Sequence, residues 1–415
     1  MIRQLTLINW KSFADARLYI DSLGVLIGTN ASGKSNALDA FSFLHRISRG
    51  ISLTDALAGL RGGLEWAILK GSKDFSLSVT ISESGSVQTD FVYSIRAAIN
   101  GAKCEIIDES LKRQKYRQSN RVGRPYEVYL FRTDDCPLDS PSITARLYNE
   151  KMGRPRPSNR THSILSQLEK QNERKEILEG VDAVLSNIRN IFILDPIPSN
   201  MRGYVPLSEQ MSQDAANIAG VIAALPDGKQ QEIESAVQEY VRHLPERDIQ
   251  RLWAEKVGRF ETDAILYCDE HWPANPEIPV QTVDSRGMSD GTLRFLAILT
   301  ALLTRPSGSL LIIEEVDNGL HPSRAYLLVR MLRELGVRRE VDILITTHNP
   351  ALLDALGPEI TPFVTIAHRD SEYGHSCLTL LEDVTHLAKL LAIGPVGKLS
   401  ASGRLESALS AQKGG

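Results

Sequence analysis

The chain has 415 residues, more than one simple compact core organises, and this points to one elaborated domain or two lobes. It is 42% hydrophobic and 24% charged with a net charge of −4, the balance of a soluble globular protein rather than a chain-wide polyanion binder, so any nucleic-acid surface has to be local. Apolar runs such as Phe295 to Leu303 fall short of a membrane span, and Ile2 to Trp10 alternates instead of forming a signal peptide's apolar core. Cys104, Cys136, Cys268 and Cys377 show neither CxxC spacing nor a dense framework, and a reducing, cytoplasmic setting is expected.

In chain order, Ile2 to Asn9 alternates apolar and polar residues and reads as a strand. Arg17 to Ile20 reads as a second strand and Gly24 to Ile27 as a short buried third. A glycine-rich turn then leads into a helix from Lys34 to about Ser48, with Leu38, Phe41 and Leu44 on one face. Phe75 to Ile81 and Asp90 to Ala97 read as antiparallel strands joined by a Ser/Gly turn at Glu83 to Ser86. Two basic stretches follow: Lys112, Arg113, Lys115, Arg117, Arg121 and Arg124, then Arg146, Lys151, Arg154, Arg156 and Arg160. Gly and Pro interrupt both, so they read as loops or short strands inserted into the main body. Ser163 to Asn190, Glu232 to His243 and Pro245 to Gly258 read as helical.

From Gly291 strands and helices alternate, which argues for a parallel sheet. Leu293 to Leu303 is an apolar helix, Leu310 to Ile313 a buried strand and Ser323 to Leu335 an amphipathic helix. Asp342 to Thr346 is a second buried strand and Ala351 to Leu356 a short helix. The expected organisation is an N-terminal lobe over 1–100, a basic and helical insert over 101–190, a C-terminal lobe over 191–395 and a frayed tail over 396–415.

Four motifs carry chemistry. Gly28-Thr29-Asn30-Ala31-Ser32-Gly33-Lys34-Ser35, continued by Asn36, fits GxxxxGK[ST] between a buried strand and a helix. Glycines let the backbone wrap phosphate oxygens, and the N–H groups of the helix start carry positive partial charge. Lys34 is expected to neutralise the β- and γ-phosphates and Ser35 to bind Mg²⁺, making ATP and Mg²⁺ the expected cofactors. Leu310 to Glu315 reads as a buried strand ending in two carboxylates, costly unless they are used. Glu314 would help hold Mg²⁺ through water, and Glu315 would orient or activate the attacking water. In Met288-Ser289-Asp290-Gly291-Thr292, Ser289 either caps the next helix or, with the Gly291 backbone, binds the γ-phosphate of a nucleotide held by another subunit. In Thr347-His348-Asn349-Pro350, the place of His348 after the acidic strand favours a γ-phosphate contact over a merely satisfied polar residue.

In this order the motifs resemble the ABC-type ATPase head, in its SMC/RecF-like branch. The local match resembles a large bacterial group of AAA-type ATP-binding proteins related to the OLD family. It rests on residues 1–50 and 285–356: Asn9-Trp10-Lys11-Ser12-Phe13, the loop from Gly28 to Ser35, Ser289-Asp290-Gly291-Thr292, Glu314 to Pro322 and Thr347 to Pro350. The phrase Leu194-Asp195-Pro196-Ile197-Pro198 with Met201-Arg202 is also similar to this group. The resemblance implies an α/β P-loop NTPase of the ABC-ATPase head type, with an antiparallel β subdomain and a helical, basic insert. It implies Lys11 and Ser12 near the nucleotide, and Ser289 and Gly291 acting in trans across a homodimer of the ATP-sandwich type or a higher oligomer. It also puts His321 at the dimer interface. Glu314 stands where such heads carry Asp, Asp290 replaces a signature Gly, Val316 replaces a Pro, and the Q-loop glutamine has no clear counterpart beyond Gln88. Slow or regulated hydrolysis is therefore expected.

Such ATPases are often encoded beside a nuclease-like effector in anti-phage defence. The stretch after His348 is expected to be too short for a nuclease domain of its own, so the implied partner is a separately encoded effector. The alternative is a RecF-like ATPase that binds DNA directly in repair or maintenance. The basic stretches fit either reading, or solvated loops. A transporter subunit, and with it a membrane partner, is disfavoured by Leu320-His321-Pro322 and by the opening phrase.

Overall fold

The computed structural model describes residues 1–412 apart from 84–87, 117–124, 138–139, 149–152, 242–248, 272–278 and 322–323. The chain forms two compact units. The first is Met1–Ile191 joined by Phe363–Asp383, and the second is Phe192–Pro362 joined by Val384–Leu409.

The first unit opens with β1 (Ile2–Trp10), β2 (Phe13–Tyr19), β3 (Leu23–Ile27), α1 (Lys34–Ser48) and α2 (Leu53–Ala58). Every residue of β3 is buried, whereas β1 alternates, as expected for an inner strand and for one with a single covered face. Trp10 of β1 and Phe43 of α1 meet Phe75, with ring centroids 5.0 to 5.7 Å apart, so aromatic packing fixes α1 on the sheet. An antiparallel series follows: β4 (Asp74–Glu83), β5 (Thr89–Asn100), β6 (Lys103–Lys115), β7 (Tyr126–Thr133), β8 (Ser142–Leu147) and β9 (Arg154–Asn159), then α3 (Ile164–Leu168) and α4 (Lys175–Arg189). Much of the basic region is therefore strand rather than loop. The domain break expected at residue 100 falls in the β5–β6 hairpin, inside one sheet. Arg117, Arg121, Arg124 and Lys151 lie outside the described residues.

The second unit contains β10 (Ile191–Leu194), β11 (Val205–Pro206), α5 (Ile218–Ala224), α6 (Asp227–Val241), β12 (Ile249–Val257), β13 (Asp263–Glu270) and β14 (Gln281–Asp284). It continues with α7 (Asp290–Thr304), β15 (Leu310–Ile313), α8 (Ala325–Arg339), β16 (Asp342–Thr347) and α9 (Pro350–Leu356). β10, β15 and β16 lie side by side, and β15 and β16 are parallel with Leu310 opposite Asp342. The helix expected over residues 245–258 is instead strand β12, antiparallel to β13. A register shift between Ile249 and Arg251 leaves Ile249 and Leu252 buried three apart, a spacing that imitates a helix.

The chain then returns to the first unit as β17 (Val364–Arg369) and β18 (Ser376–Leu380). β17 runs parallel to β3, and β18 parallel to β2 with Phe13 opposite Ser376. The strands of this unit thus run β3-β17-β18-β2-β1-β4-β5-β6-β7-β8-β9. Helices α10 (Leu387–Leu391), α11 (Val396–Ala401) and α12 (Arg404–Gln412) end the described chain. The tail expected to fray is helical over most of its length because Leu399, Leu405 and Leu409 are buried and α11 docks tightly on α9. Gly397 N–H donates to Asp354 Oδ1 at 2.8 Å, and a Cβ on Gly397 would lie 2.1 Å from the Pro350 carbonyl oxygen. Among the described residues no helix is long and apolar enough to cross a membrane.

Candidate functional site

In the first unit, the loop after β3 turns through three positive φ angles: Gly28 at 147°, Ala31 at 61° and Gly33 at 111°. Gly33 is also the N-cap of α1. It makes no side-chain cap hydrogen bond and no acidic residue stands in the first turn, an arrangement that suits an anion at this helix start. The β17–β18 hairpin packs against this loop. A Cβ on Gly28 would lie 2.2 Å from the Ala367 carbonyl oxygen, and one on Gly33 would lie 2.4 Å from Ser376 Oγ. Arg369 Nε donates to the Ala31 carbonyl at 2.9 Å. Lys34 Nζ donates to the carbonyls of Gly28 (2.6 Å) and Thr29 (3.0 Å), which keeps its ammonium within the curl of the loop. Thr29, Asn30 and Ala31 are exposed, whereas Ser32 is buried with its Oγ lacking a partner among the described residues.

Ser35 and Asn36 lie in the first turn of α1. Asn36 Nδ2 donates to Ser12 Oγ at 2.8 Å, and its carbonyl accepts from Trp10 Nε1 at 2.8 Å. Ser376 Oγ donates to Ser12 Oγ at 2.8 Å. Ser12 is thus tied to the first turn of α1 and to the β17–β18 hairpin. Lys11 is not turned toward the loop: Lys11 Nζ donates to Asp39 Oδ2 at 2.6 Å and to the Arg61 carbonyl at 2.7 Å, with only 4% of the side chain exposed. A buried ammonium needs such a counter-charge, and Asp39 of α1 supplies it, so Lys11 ties β1 to that helix.

In the second unit, Glu314 and Glu315 follow β15 at half-buried positions. Glu315 has φ 44°, a strained value for a side-chain-bearing residue, and the end of β16 holds it there. Glu315 N–H donates to Thr346 Oγ1 at 2.8 Å, and Val316 N–H to the Thr346 carbonyl at 3.0 Å. Asn318 Nδ2 donates to Glu315 Oε2 at 3.3 Å. One residue along, Thr347 Oγ1 donates to buried Asp317 at 2.6 Å and accepts from Asn349 N–H at 3.0 Å. The two consecutive threonines therefore staple the acidic turn to the strand that presents His348, which is exposed. Sequence reading did not single out either threonine; their position before His348 was the available signal.

Ser289 Oγ accepts from Thr292 N–H at 3.1 Å and so caps α7; the residue itself is exposed. Gly291 is buried against the following loop, where a Cβ would meet the Gly319 carbonyl at 3.0 Å. Arg294, one turn further, is 5% exposed and lies 3.3 Å from Asp195. Burial lowers its pKa, while Asp195, Glu315 and Asp317 pull it back up, which places this cation in the field of the acidic turn. His321 is exposed, and Pro322 lies outside the described residues. Gln88 is an exposed residue just before β5 whose carbonyl accepts from Tyr116 N–H at 3.1 Å.

Among the described residues, several of the basic side chains are paired with acids. Lys112 and Arg113 are neighbours on β6 and so point to opposite sides. Arg113 pairs with Glu176, Arg156 with Glu173 and Arg146 with Asp134. Lys112, which also pairs with Glu127 at 3.9 Å, lies in a small cation–aromatic cluster: its Nζ is 4.8 Å and the Arg132 guanidinium 5.6 Å from the Tyr129 ring, and Tyr148 is 5.8 Å from Tyr129.

The family model described as "AAA domain, putative AbiEii toxin, Type IV TA system" matches residues 23–192 and 269–354. No curated protein matches the sequence. Among solved structures, an SMC head bound to the C-winged helix domain of ScpA is similar with a TM-score of 0.50 at 14% identity, over 91% of this chain and 97% of that one. The SMC head domain from Thermotoga maritima aligns with a TM-score of 0.42 at 15% identity, over 91% and 98% of the two chains. An SMC head with an extended coiled coil from Pyrococcus furiosus, bound to the C-terminal domain of ScpA, aligns with a TM-score of 0.49 at 12% identity, over 94% and 99%. The family model spans more than half of the chain, so the protein belongs to this AAA-domain family, and its fold is that of a P-loop ATPase head of the ABC type, similar to an SMC head.

Proposed function

We propose that the chain binds ATP with Mg²⁺ on residues 28–36, hydrolyses it slowly or under regulation, and acts as a dimeric switch for a separately encoded, nuclease-like effector in anti-phage defence. The observation that carries the nucleotide reading is the uncapped start of α1 behind a loop shaped by three positive φ angles. Lys34 would bind the β- and γ-phosphates, and the backbone of Gly28 to Gly33 would wrap them. The hard oxygens of Ser35 and Glu314 are the ligand types that Mg²⁺ prefers, and the ion would offset charge on the phosphates. Glu315 would handle the attacking water, with His348 at the γ-phosphate. Ser289 and Gly291 would complete the site of a partner subunit.

The family description names a toxin of a type IV toxin–antitoxin system, which supports a setting in defence. The SMC head bound to ScpA is a head of this fold with a partner protein docked, which supports effector docking here. A cytoplasmic place accords with four free cysteines. The second reading, direct DNA binding, is favoured by the Lys112–Tyr129–Arg132 cluster. Retention of duplex DNA by the chain at low salt, falling steeply as salt rises, would favour it.

The composite site is tested by complementation. Lys34→Ala should weaken ATP binding severely and Ser289→Arg should spare it, and each alone should lack turnover. Mixed together, the two variants form heterodimers that keep one intact composite site and should recover part of the activity. Binding of ATP by Lys34→Ala within about threefold of wild type, under ~1 kcal/mol, removes the nucleotide assignment. Absence of recovery at every mixing ratio removes the trans arrangement.

A further inference from the structure

We propose that Arg202 is a positioning residue for the signature segment, fixing residues 285–290 by their backbone and cancelling the carboxylate of Asp290 at the point where that segment meets a triphosphate. The inference rests on the reading that Ser289 and Gly291 act on the γ-phosphate of a nucleotide held by a partner subunit.

Arg202 closes the short turn Pro198–Arg202, more than eighty residues before the signature, in a phrase to which the nucleotide chemistry gives no task. Its Nη1 donates to the carbonyls of Ser285 (3.0 Å), Arg286 (2.9 Å) and Met288 (2.7 Å), and its Nη2 to Asp290 Oδ1 at 2.6 Å. Only 27% of the side chain is exposed. One planar guanidinium thus gathers the whole approach to Ser289, a task that its fork of donors suits and that a point-charge ammonium meets only in part.

Asp290 is what makes the arrangement informative. It stands where the signature would carry Gly, one residue after Ser289, and its carboxylate is 66% exposed. A bare carboxylate there would repel a triphosphate. Favourable interaction with the α7 dipole explains an acid in the first turn, but it does not call for a cation tied to that acid. Asp290 and Arg294 lie four residues apart and so share a face of α7. The same phrase meets both, Arg202 taking Asp290 and Asp195 taking Arg294 at 3.3 Å. Two ion pairs of opposite sense thus set the start of α7, and the outer one leaves the signature segment without net charge at Asp290.

The test is steady-state ATP turnover by the full chain, with thermal melting to confirm folding. Arg202→Ala should lower kcat roughly ten- to hundredfold with KM for ATP unchanged, because the nucleotide's own loop is untouched. Arg202→Lys, which keeps a cation, should recover part of the loss. Asp290→Ala placed in the Arg202→Ala background should also recover at least about threefold, since it removes the charge that Arg202 cancels. A purely structural brace would not show that suppression. Turnover by Arg202→Ala within twofold of wild type, or a double variant no faster than Arg202→Ala, overturns the proposal. Ser289→Arg measured in parallel separates the layers: if it is inactive, only the role of Arg202 has fallen, and if it turns over normally, the composite-site reading has fallen with it.

Discussion

Helices α1 and α7 both begin at segments read as phosphate-binding, and their N-termini are finished in opposite ways. The start of α1 is built from backbone: Gly33 caps it at φ 111° with no side-chain cap hydrogen bond, and the first turn holds no acid. The start of α7 is built from side chains: Ser289 caps it, Asp290 stands in the first turn, and Arg202 holds the approach. The first arrangement leaves donors for an anion to satisfy. The second satisfies its donors internally and presents a rigid, charge-balanced edge. On the proposed reading, the helix start that would carry a ligand of its own is left uncapped, while the one that would complete a neighbour's site is finished in advance.

The comparison is broken most forcefully at Glu315, which follows β15 and is likewise held by side chains, its N–H by Thr346 and its carboxylate by Asn318. Glu315→Gln preserves shape and the Asn318 contact region but removes the carboxylate proposed to handle water. Turnover should fall roughly 10²- to 10⁴-fold, with ATP affinity unchanged and the ATP-bound dimer longer-lived. Single-turnover hydrolysis together with equilibrium ATP binding reads both quantities. A variant that hydrolyses at the wild-type rate would show that binding and chemistry do not divide between these two sets of residues in this way.

The same division explains what was legible beforehand. Residues 28–36 are contiguous, and their chemistry is in the spacing of Gly28, Gly33, Lys34 and Ser35, so the loop and the buried strand before it can be read from the chain. The acidic end of β15 was visible for the same reason. Arg369, Ser376, Thr346, Thr347 and Arg202 act on these segments through pairings set by topology; Thr347 and Arg202 stand in phrases the sequence offers, but no local pattern announces what they bind. Lys11 was misplaced because its partner, Asp39, is a helix residue whose facing side depends on how α1 packs on β1. β12 passed for a helix because its register shift breaks the two-residue period. The C-terminal helices passed for a loose tail because Gly397, a residue typical of loops, is there to let α11 approach Pro350.

A smaller effect sharpens the contrast from the backbone side. Ala at Gly33 has to hold φ 111° and put a methyl 2.4 Å from Ser376 Oγ and 3.1 Å from Phe13 Cζ. Conformational strain of roughly 1–3 kcal/mol and overpacking of about the same size should add, against paired strands that have little room to yield. Gly291→Ala has no positive φ to hold, and its methyl would sit 3.0 Å from one carbonyl oxygen. Thermal melting should therefore show Gly33→Ala destabilised clearly more than Gly291→Ala, with ATP binding lost only in the former. Equal losses in melting and binding would mean that the two starts depend on backbone geometry to the same degree.

The smallest expected change, at Ser289, separates the two roles that one hydroxyl is given. As a cap, Ser289 Oγ accepts from Thr292 N–H, and Ala there should cost about 1 kcal/mol of stability. Asp caps as well as Ser does, so Ser289→Asp should melt within ~0.5 kcal/mol of wild type. If capping were the residue's whole task, Ser289→Asp would be the silent variant and Ser289→Ala the damaged one. If Ser289 also meets a γ-phosphate, the order inverts for turnover. The added carboxylate, one residue before an aspartate that already takes the Arg202 guanidinium, would face the phosphate with no cation left to cancel it. Ser289→Asp should then melt normally, bind ATP normally and lose ATP-dependent self-association and turnover, while Ser289→Ala loses stability and keeps more of both. Sedimentation with and without ATP, beside melting curves for the two variants, decides between the orders, and normal turnover by Ser289→Asp would reduce the residue to a helix cap.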